Sequence, residues 1–344
     1  MPVILSIFGL LGIPVGVYLV SLCVRGGVSG WAWVWMVVYV LLDVAALFAQ
    51  NDPRRAKISF GIAAALLLAI AGIRHTRVHP TTAGRTILLP SEAPGPWVDR
   101  LGDDGDLGMM TFVAMTDFGG IQSDDARRAR SYVKAAWRRL RNDPEFHAIP
   151  SPVPSNILGL TSGTSVHTLV LNPQERAPRA VIYLHGTGGS SKLPCWLLAR
   201  RMPDALVICP TVGMGGEWFN DRGVQAWEHV LNYATAHSDG VYVIGMGYGG
   251  RGLLHIANRN LLGHVSGFVL LSGFDENYFE QVRRSRVPVL IIRGDADSRT
   301  PAFRVEGVAG LDRVQNVELN AGHFALYEQE DGVLELIDSF CGAR

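Results

Sequence analysis

The sequence predicts an α/β chain: a doubly wound, mostly parallel sheet preceded by an α-helical transmembrane domain. Three observations carry this. Long apolar runs almost free of charge fill the first 78 residues. From about residue 160, strand-like segments alternate with helical ones, which is the pattern of a layered α/β domain. The central segments, such as VPVLIIRG (287–294), are apolar throughout rather than alternately, which suits strands covered on both faces.

The apolar runs come first. Residues 2–24 hold no charge, 31–50 hold only Asp43, and a third run follows the basic stretch NDPRRAK. A spanning helix needs about 20 apolar residues. Spans are expected at 3–24, 31–50 and 58–74, so that 1–78 forms a multi-pass domain in the lipid bilayer. The third span is short and requires Lys57 and Arg74 to snorkel. A cleavable leader is not expected, because no Lys or Arg precedes the first run and two more runs follow it. Arg54, Arg55 and Lys57 on one side are matched by Arg25, Arg74, Arg77 and Arg85 on the other, so charge counting leaves sidedness open. Asp43 is read either as an acid near a helix end or as a polar contact facing protein.

The 344 residues have a formal net charge of zero, which excludes a global nucleic-acid-binding field. Cys23, Cys195, Cys209 and Cys341 lack metal-ligand or redox spacing and are expected as buried or unpaired thiols. No metal and no cofactor is expected.

Residues 79–155 read as a connector. A helix is expected at 124–141, with Ala126, Ala129, Val133, Trp137 and Leu140 on one side and seven basic residues on the other. That basic face suits either a solvated surface with the apolar side on the globular domain, or contact with anionic head groups. The acids Asp103, Asp104 and Asp106 lack a calcium-loop spacing and are read as a solvated loop.

The domain at 156–344 is expected to place strands at 166–171, 180–184, 205–209, 241–244, 267–271, 287–292 and 314–319. The clearest helices are 224–237, 249–258 and 332–341. Four chemistry-bearing stretches follow strands: YLHGTGG (183–189), VIGMGYGG (243–250), IIRGDADSRTP (291–301) and NAGHFAL (320–326). In open α/β sheets such strand ends meet in one crevice.

In that order these stretches resemble the α/β-hydrolase superfamily over residues 160–344. The resemblance implies an oxyanion loop at His185, Gly186, Thr187, Gly188 and Gly189, a triad acid at Asp297 and a triad histidine at His323. It places Gly247 where the nucleophilic serine would stand. The amide of Tyr248, with one from Gly186 or Thr187, would form an oxyanion-like nest, and Trp218 is a candidate wall of the crevice. No G-x-S-x-G occurs in the sequence. Ser190 and Ser191 lie in the oxyanion loop, Ser272 ends a strand with no elbow after it, and Cys195 is read as packed.

A triad needs a hydroxyl that its histidine can deprotonate. Deleting that hydroxyl costs on the order of 10⁶ in kcat. The expected function is a membrane-anchored hydrolase-fold protein without serine-hydrolase activity that binds a small acyl or lipid-like ligand, or a protein partner of unknown kind. The alternative is an ester or acyl hydrolase using a water activated by His323 and Asp297. A third reading leaves the function to the membrane domain alone.

Overall fold

The computed structural model describes residues 2–49, 52–160, 164–187, 192–213, 216–284, 287–300, 305–308 and 310–342, with the side chains of 2–11, 157, 279 and 281 outside the description. The chain divides into two compact units, one of residues 1–78 with 100–121 and one of 79–99 with 122–344.

The first unit holds α1 (Pro2–Gly26), α2 (Gly30–Phe48), α3 (Pro53–Arg77) and α4 (Asp104–Asp117). Ser29 caps α2 by accepting from the Trp31 amide, and Asp52 caps α3 by accepting from the Arg55 amide with Pro53 in the first turn. That cap starts α3 before its apolar run and makes the helix 25 residues long rather than short. Two helices, Gly30–Phe48 and Pro53–Arg77, are long and apolar enough to cross a membrane; the described apolar part of α1, Gly12–Gly26, is shorter.

Asp43 does not sit at a helix end. It lies inside α2 against Gly12 of α1, where an added Cβ would fall 2.0 Å from its Oδ1. One turn along, Tyr39 donates its hydroxyl to the Gly12 carbonyl at 2.9 Å, and its ring lies 3.1 Å from where a Cβ of Gly16 would be. Two glycines four apart thus let α2 approach α1 closely, the small-residue spacing that helix pairs use.

The acids after residue 102 are not a solvated loop. Asp103 caps α4 through the Asp106 amide at 3.0 Å, and Asp104 and Asp106 are buried. Asp106 accepts the Ser29 amide at 2.7 Å and the Ser29 hydroxyl, tying α4 to the α1–α2 turn. Buried Arg74, near the end of α3, donates to the carbonyls of Arg100 and Gly102. Arg25 pairs with Asp117 of α4. Asp103 and Asp106 thus have hydrogen-bond partners inside the unit, which offsets the cost of burying Asp106.

The second unit is built on a sheet with nine strands among the described residues. These are β1 (Gly84–Leu89), β2 (Ala93–Pro94), β3 (Val166–Leu171), β4 (Arg179–Leu184), β5 (Ala205–Thr211), β6 (Val241–Met246), β7 (Val265–Leu271), β8 (Val289–Gly294) and β9 (Val314–Leu319). Their order is β2-β1-β3-β5-β4-β6-β7-β8-β9. From β5 to β9 every neighbour is parallel, while β2, β1 and β3 extend the sheet antiparallel. The doubly wound, mostly parallel sheet is therefore the architecture of this unit. Its central strands are buried along their length, as continuous apolar runs require.

The helices of this unit are α5 (Ser123–Asn142), α6 (Pro144–Ala148), α7 (Val153–Ile157), α8 (Lys192–Arg201), α9 (Asp221–His237), α10 (Tyr248–Asn258), α11 (Phe279–Arg284), α12 (Ala325–Glu328) and α13 (Glu330–Gly342). On one face the core joins strand residues such as Ile182 and Val243 to Trp227 and Val230 of α9 and Leu253 and Leu254 of α10. Helix α5 buries Ala126, Ala129, Val133, Ala136, Trp137 and Leu140 and pairs Arg128 with Glu328 and Arg139 with Glu330.

Two cysteines depart from expectation: Cys195 of α8 and Cys209 of β5 form a disulfide, whereas Cys23 and Cys341 are free and buried. The helix after β4 packs back on β5, which brings these two side chains face to face. A second buried device joins the segment before α4 to β3. His167 of β3 places Nε2 3.0 Å from Asp99 Oδ2 and Nδ1 2.6 Å from Ser155 Oγ, with all three side chains fully buried. The Ser155 amide donates to the other Asp99 oxygen at 3.2 Å. This network has no access to solvent and serves to fix the 97–100 turn and α7 on the sheet.

Candidate functional site

The switch in strand order falls between β4 and β6, because the chain leaves β4 for β5 on one side and returns to β6 on the other. Crevices form at such points. At this one, β6 ends at Met246 and α10 begins at Tyr248, with Gly247 as the single residue of the bend. Gly247 has φ 54° and ψ −117°, a left-handed conformation that costs glycine little. Its amide donates to the Leu271 carbonyl at 3.0 Å, and its carbonyl accepts from the Gly250 and Arg251 amides. Gly249 makes the tightest approach: a Cβ there would lie 2.0 Å from the Leu184 carbonyl oxygen. The bend is thus wedged between β4 and β7.

Asp297 follows β8 and His323 follows β9. The Asp297 carboxylate accepts the Arg299 amide at 2.9 Å, the Thr300 amide at 3.2 Å and the His323 Nδ1–H at 3.1 and 3.2 Å. Burial pushes the Asp297 carboxyl up, but the hydrogen bond and charge of His323 and the two amides outweigh it and hold the carboxyl below its ordinary value. In the neutral ring this arrangement keeps the proton on Nδ1 and leaves Nε2 as an acceptor. That Nε2 faces the bend: a Cβ on Gly247 would stand 3.6 Å from it. The structure therefore brings Gly247, Asp297 and His323 together in one constellation.

Sequence reasoning missed the groups that hold the His323 loop. Asp295 accepts the Ala321 amide at 3.1 Å, Glu328 accepts the Gly322 amide at 3.2 Å, and Asp125 of α5 accepts the His323 amide at 3.3 Å. Asp125 carried a signal. It lies four residues before Ala129 and eight before Val133, so it falls on the apolar face of α5, and it is buried there.

Two expected crevice residues are corrected. His185 is 1 % exposed: Nε2 accepts the Val212 amide at 3.1 Å and Nδ1–H donates to the Gly186 carbonyl at 2.8 Å. Burial pushes this imidazole below its ordinary value against the opposing bond to Gly186, so it is a neutral brace and not a ligand contact. Trp218 is fully buried in the core, stacks edge-on against His185 and donates its indole N–H to the His185 carbonyl at 3.0 Å. Both side chains serve the loop from beneath. Cys195 is excluded as a nucleophile by its disulfide.

Gly186 is half-buried beside the bend, and a Cβ there would lie 2.9 Å from the Met246 carbonyl oxygen and 3.4 Å from the Tyr248 nitrogen; Thr187 is exposed. Gly188, Gly189, Ser190 and Ser191 lie outside the described residues. Tyr248 is 42 % exposed, edge-on to Phe219 and covered by the Arg251 guanidinium 5.2 Å from its ring centre. Ser272 is buried with φ 46°.

No family model matches the chain, and no curated protein matches it. Among solved structures, it is similar to a lipase-esterase related protein from Clostridium acetobutylicum at 19% identity, over 51% of this chain and 99% of that one, with a TM-score of 0.41. It is similar to the protein Est1E from Butyrivibrio proteoclasticus at 15% identity, over 54% and 97%, with a TM-score of 0.43. Carboxylesterase CesB from Bacillus subtilis matches at 12% identity, over 52% and 88%, with a TM-score of 0.42. These are likenesses of fold over about half of the chain; the chemistry of the site rests on its own residues.

The Asp297 geometry has a consequence for acid stability. A carboxylate whose folded pKa lies below its unfolded value of about 3.9 stabilises the fold fully above that value. The contribution is lost as pH falls through the lower folded value. Asp297→Asn removes the titration, so the variant should lose less stability than wild type between about pH 5 and pH 2. Thermal melts across that range check this, and parallel acid limbs contradict it.

Proposed function

We propose that this chain is a membrane-anchored protein of α/β-hydrolase fold that forms no acyl-enzyme and uses its crevice to bind a small acyl or lipid-like ligand. The observation that carries the reading is the residue at the bend after β6. His323 is aimed at Gly247, which has no oxygen to give up a proton and no atom to become acylated. The bend and the Asp297–His323 pair that would face a ligand are otherwise assembled and hydrogen-bonded.

A second reading is favoured by the same pair. A water on His323 Nε2 could attack an ester carbonyl, passing its proton to Nε2 and from there to the departing alkoxide. The two readings separate on activated short- and long-chain esters. Wild type is expected to show no turnover that His323→Ala removes. Turnover abolished by that substitution establishes the water route and overturns the binding reading.

The membrane anchor is proposed as three spans, α1 to α3. Large apolar side chains stand exposed on each of them, among them Val17, Trp33, Val37, Phe60 and Leu68, a surface that water would not tolerate in one patch. One observation supports a non-cytoplasmic sheet unit: disulfides such as Cys195–Cys209 persist in oxidising compartments. Charge counting does not choose, because Arg54, Arg55 and Lys57 in the first turns of α3 are matched by Arg25, Arg74, Arg77 and Arg85. The protein should stay in the pellet on alkaline carbonate extraction, and alkaline phosphatase fused to its C-terminus should be active. Release into the supernatant contradicts the spans, and an inactive fusion contradicts the sidedness.

A further inference from the structure

We infer that Trp97, Leu158 and Leu160 form an apolar foot of the sheet unit that dips into the lipid bilayer at the level of its head groups. The inference rests on the membrane-anchor reading of α1 to α3 and names a lipid-facing surface outside those helices.

Three features point to it. The first is exposure on one framework. Trp97, Leu158 and Leu160 are 65 %, 60 % and 52 % exposed. They belong to two segments, distant in sequence, that hydrogen bonds fasten together. The Asp99 carbonyl accepts the Ser151 amide at 3.1 Å and its Oδ1 accepts the Ser155 amide at 3.2 Å. The Ser155 carbonyl in turn accepts the Leu160 amide at 2.9 Å. Single exposed apolar residues are ordinary on a protein surface, whereas large ones gathered on one rigid support mark a contact.

The second feature is the lack of charge in these segments. No Asp, Glu, Lys or Arg occurs from 146 to 174 or from 93 to 98. Asp99, the acid nearest to Trp97 in sequence, is fully buried against His167. Entry into the head-group layer therefore strips water from no charge of these segments. An indole, apolar in its body and polar at its N–H, suits that layer.

The third feature is reach. Helix α3 has 25 residues and runs about 37 Å at about 1.5 Å per residue, against a hydrocarbon core of about 30 Å. Its last turn thus emerges among the head groups. Arg74 of that turn donates to the carbonyls of Arg100 and Gly102. Trp97 stands three residues before Arg100, and a chain of that length spans no more than about 11 Å. The covalent connection therefore keeps Trp97 within reach of the same layer.

The test uses the full chain, one copy per nanodisc, with a nitrobenzoxadiazole label on Leu158→Cys and with Trp97 and Leu160 left in place. Cys195 and Cys209 are bonded to each other and Cys23 and Cys341 are buried, so labelled wild type supplies the background. A lipid with a doxyl group on its acyl chain near the head group quenches from within the bilayer, and iodide quenches from the water. The same label on Leu68→Cys, an exposed position of α3, reports the spans. At Leu158 the doxyl lipid should quench as it does at Leu68 and iodide quenching should be lost, because an interfacial apolar face sits about 5–10 Å into the head-group boundary. Adding Trp97→Ser and Leu160→Ser should reverse both results at Leu158. Both side chains are exposed, so that variant should melt with wild type, and the label on Leu158→Cys alone decides the matter if it does not. Lipid quenching at Leu68 with iodide quenching at Leu158 overturns the inference and leaves the spans standing. A Leu158 label shielded from both quenchers is covered by protein, which also overturns it. Iodide quenching at both positions overturns the spans and the inference together. Undiminished lipid quenching at Leu158 in a folded Trp97→Ser, Leu160→Ser protein overturns the part given to those two residues.

Discussion

The arrangement depends on one backbone constraint: a left-handed bend between β6 and α10, pressed so closely between β4 and β7 that Gly245, Gly249 and Gly250 have no room for a side chain. Gly247 meets the dihedral requirement at little cost, and Gly249 meets the steric one against Leu184. A side chain at the bend would point at His323 and nowhere else among the described residues. Glycine there relieves strain and offers no side chain for His323 to act on. Stability and chemistry commonly pull against each other at sites of this kind.

What keeps the constellation from collapsing is a set of carboxylates that bind backbone rather than substrate. Asp295, Glu328 and Asp125 each accept an amide from the loop that carries His323. Asp125 comes from α5, nearly two hundred residues earlier in sequence, and the same helix ties down the neighbouring region through Arg128 and Glu328. The segment between the apolar helices and the sheet is therefore part of the site's framework. Its helix fastens the histidine loop from outside the sheet.

Much of this was legible in the sequence. Uninterrupted apolar runs revealed β4, β6, β7 and β8, and the glycine-dense turn after Val243 and Ile244 revealed the bend. Asp297 and His323 were singled out because the strand-end stretches that carry them resemble, in their order, the α/β-hydrolase pattern. What stayed hidden did so for physical reasons. Strand β1 is a six-residue piece, second from the sheet's edge, whose partner β3 lies about eighty residues later, and no local period reports such pairing. The Cys195–Cys209 bond depends on how α8 folds back on β5, which spacing does not encode. His185 was assigned to the crevice through the family resemblance, and Trp218 because it follows a strand and loop. Their hydrogen bonds to Val212, Gly186 and one another are tertiary, and these turn both side chains into the core. Asp106 looked solvated because its partner, Ser29, is met only once the helices pack.

The central claim is that His323, oriented by Asp297, faces a bend that carries no side-chain oxygen. Gly247→Ser supplies one opposite His323 Nε2. The account predicts that the variant is labelled covalently by a fluorophosphonate, that wild type is not, and that adding His323→Ala to the variant abolishes the labelling. A folded Gly247→Ser protein that resists the reagent, or a wild type that reacts with it, contradicts the account.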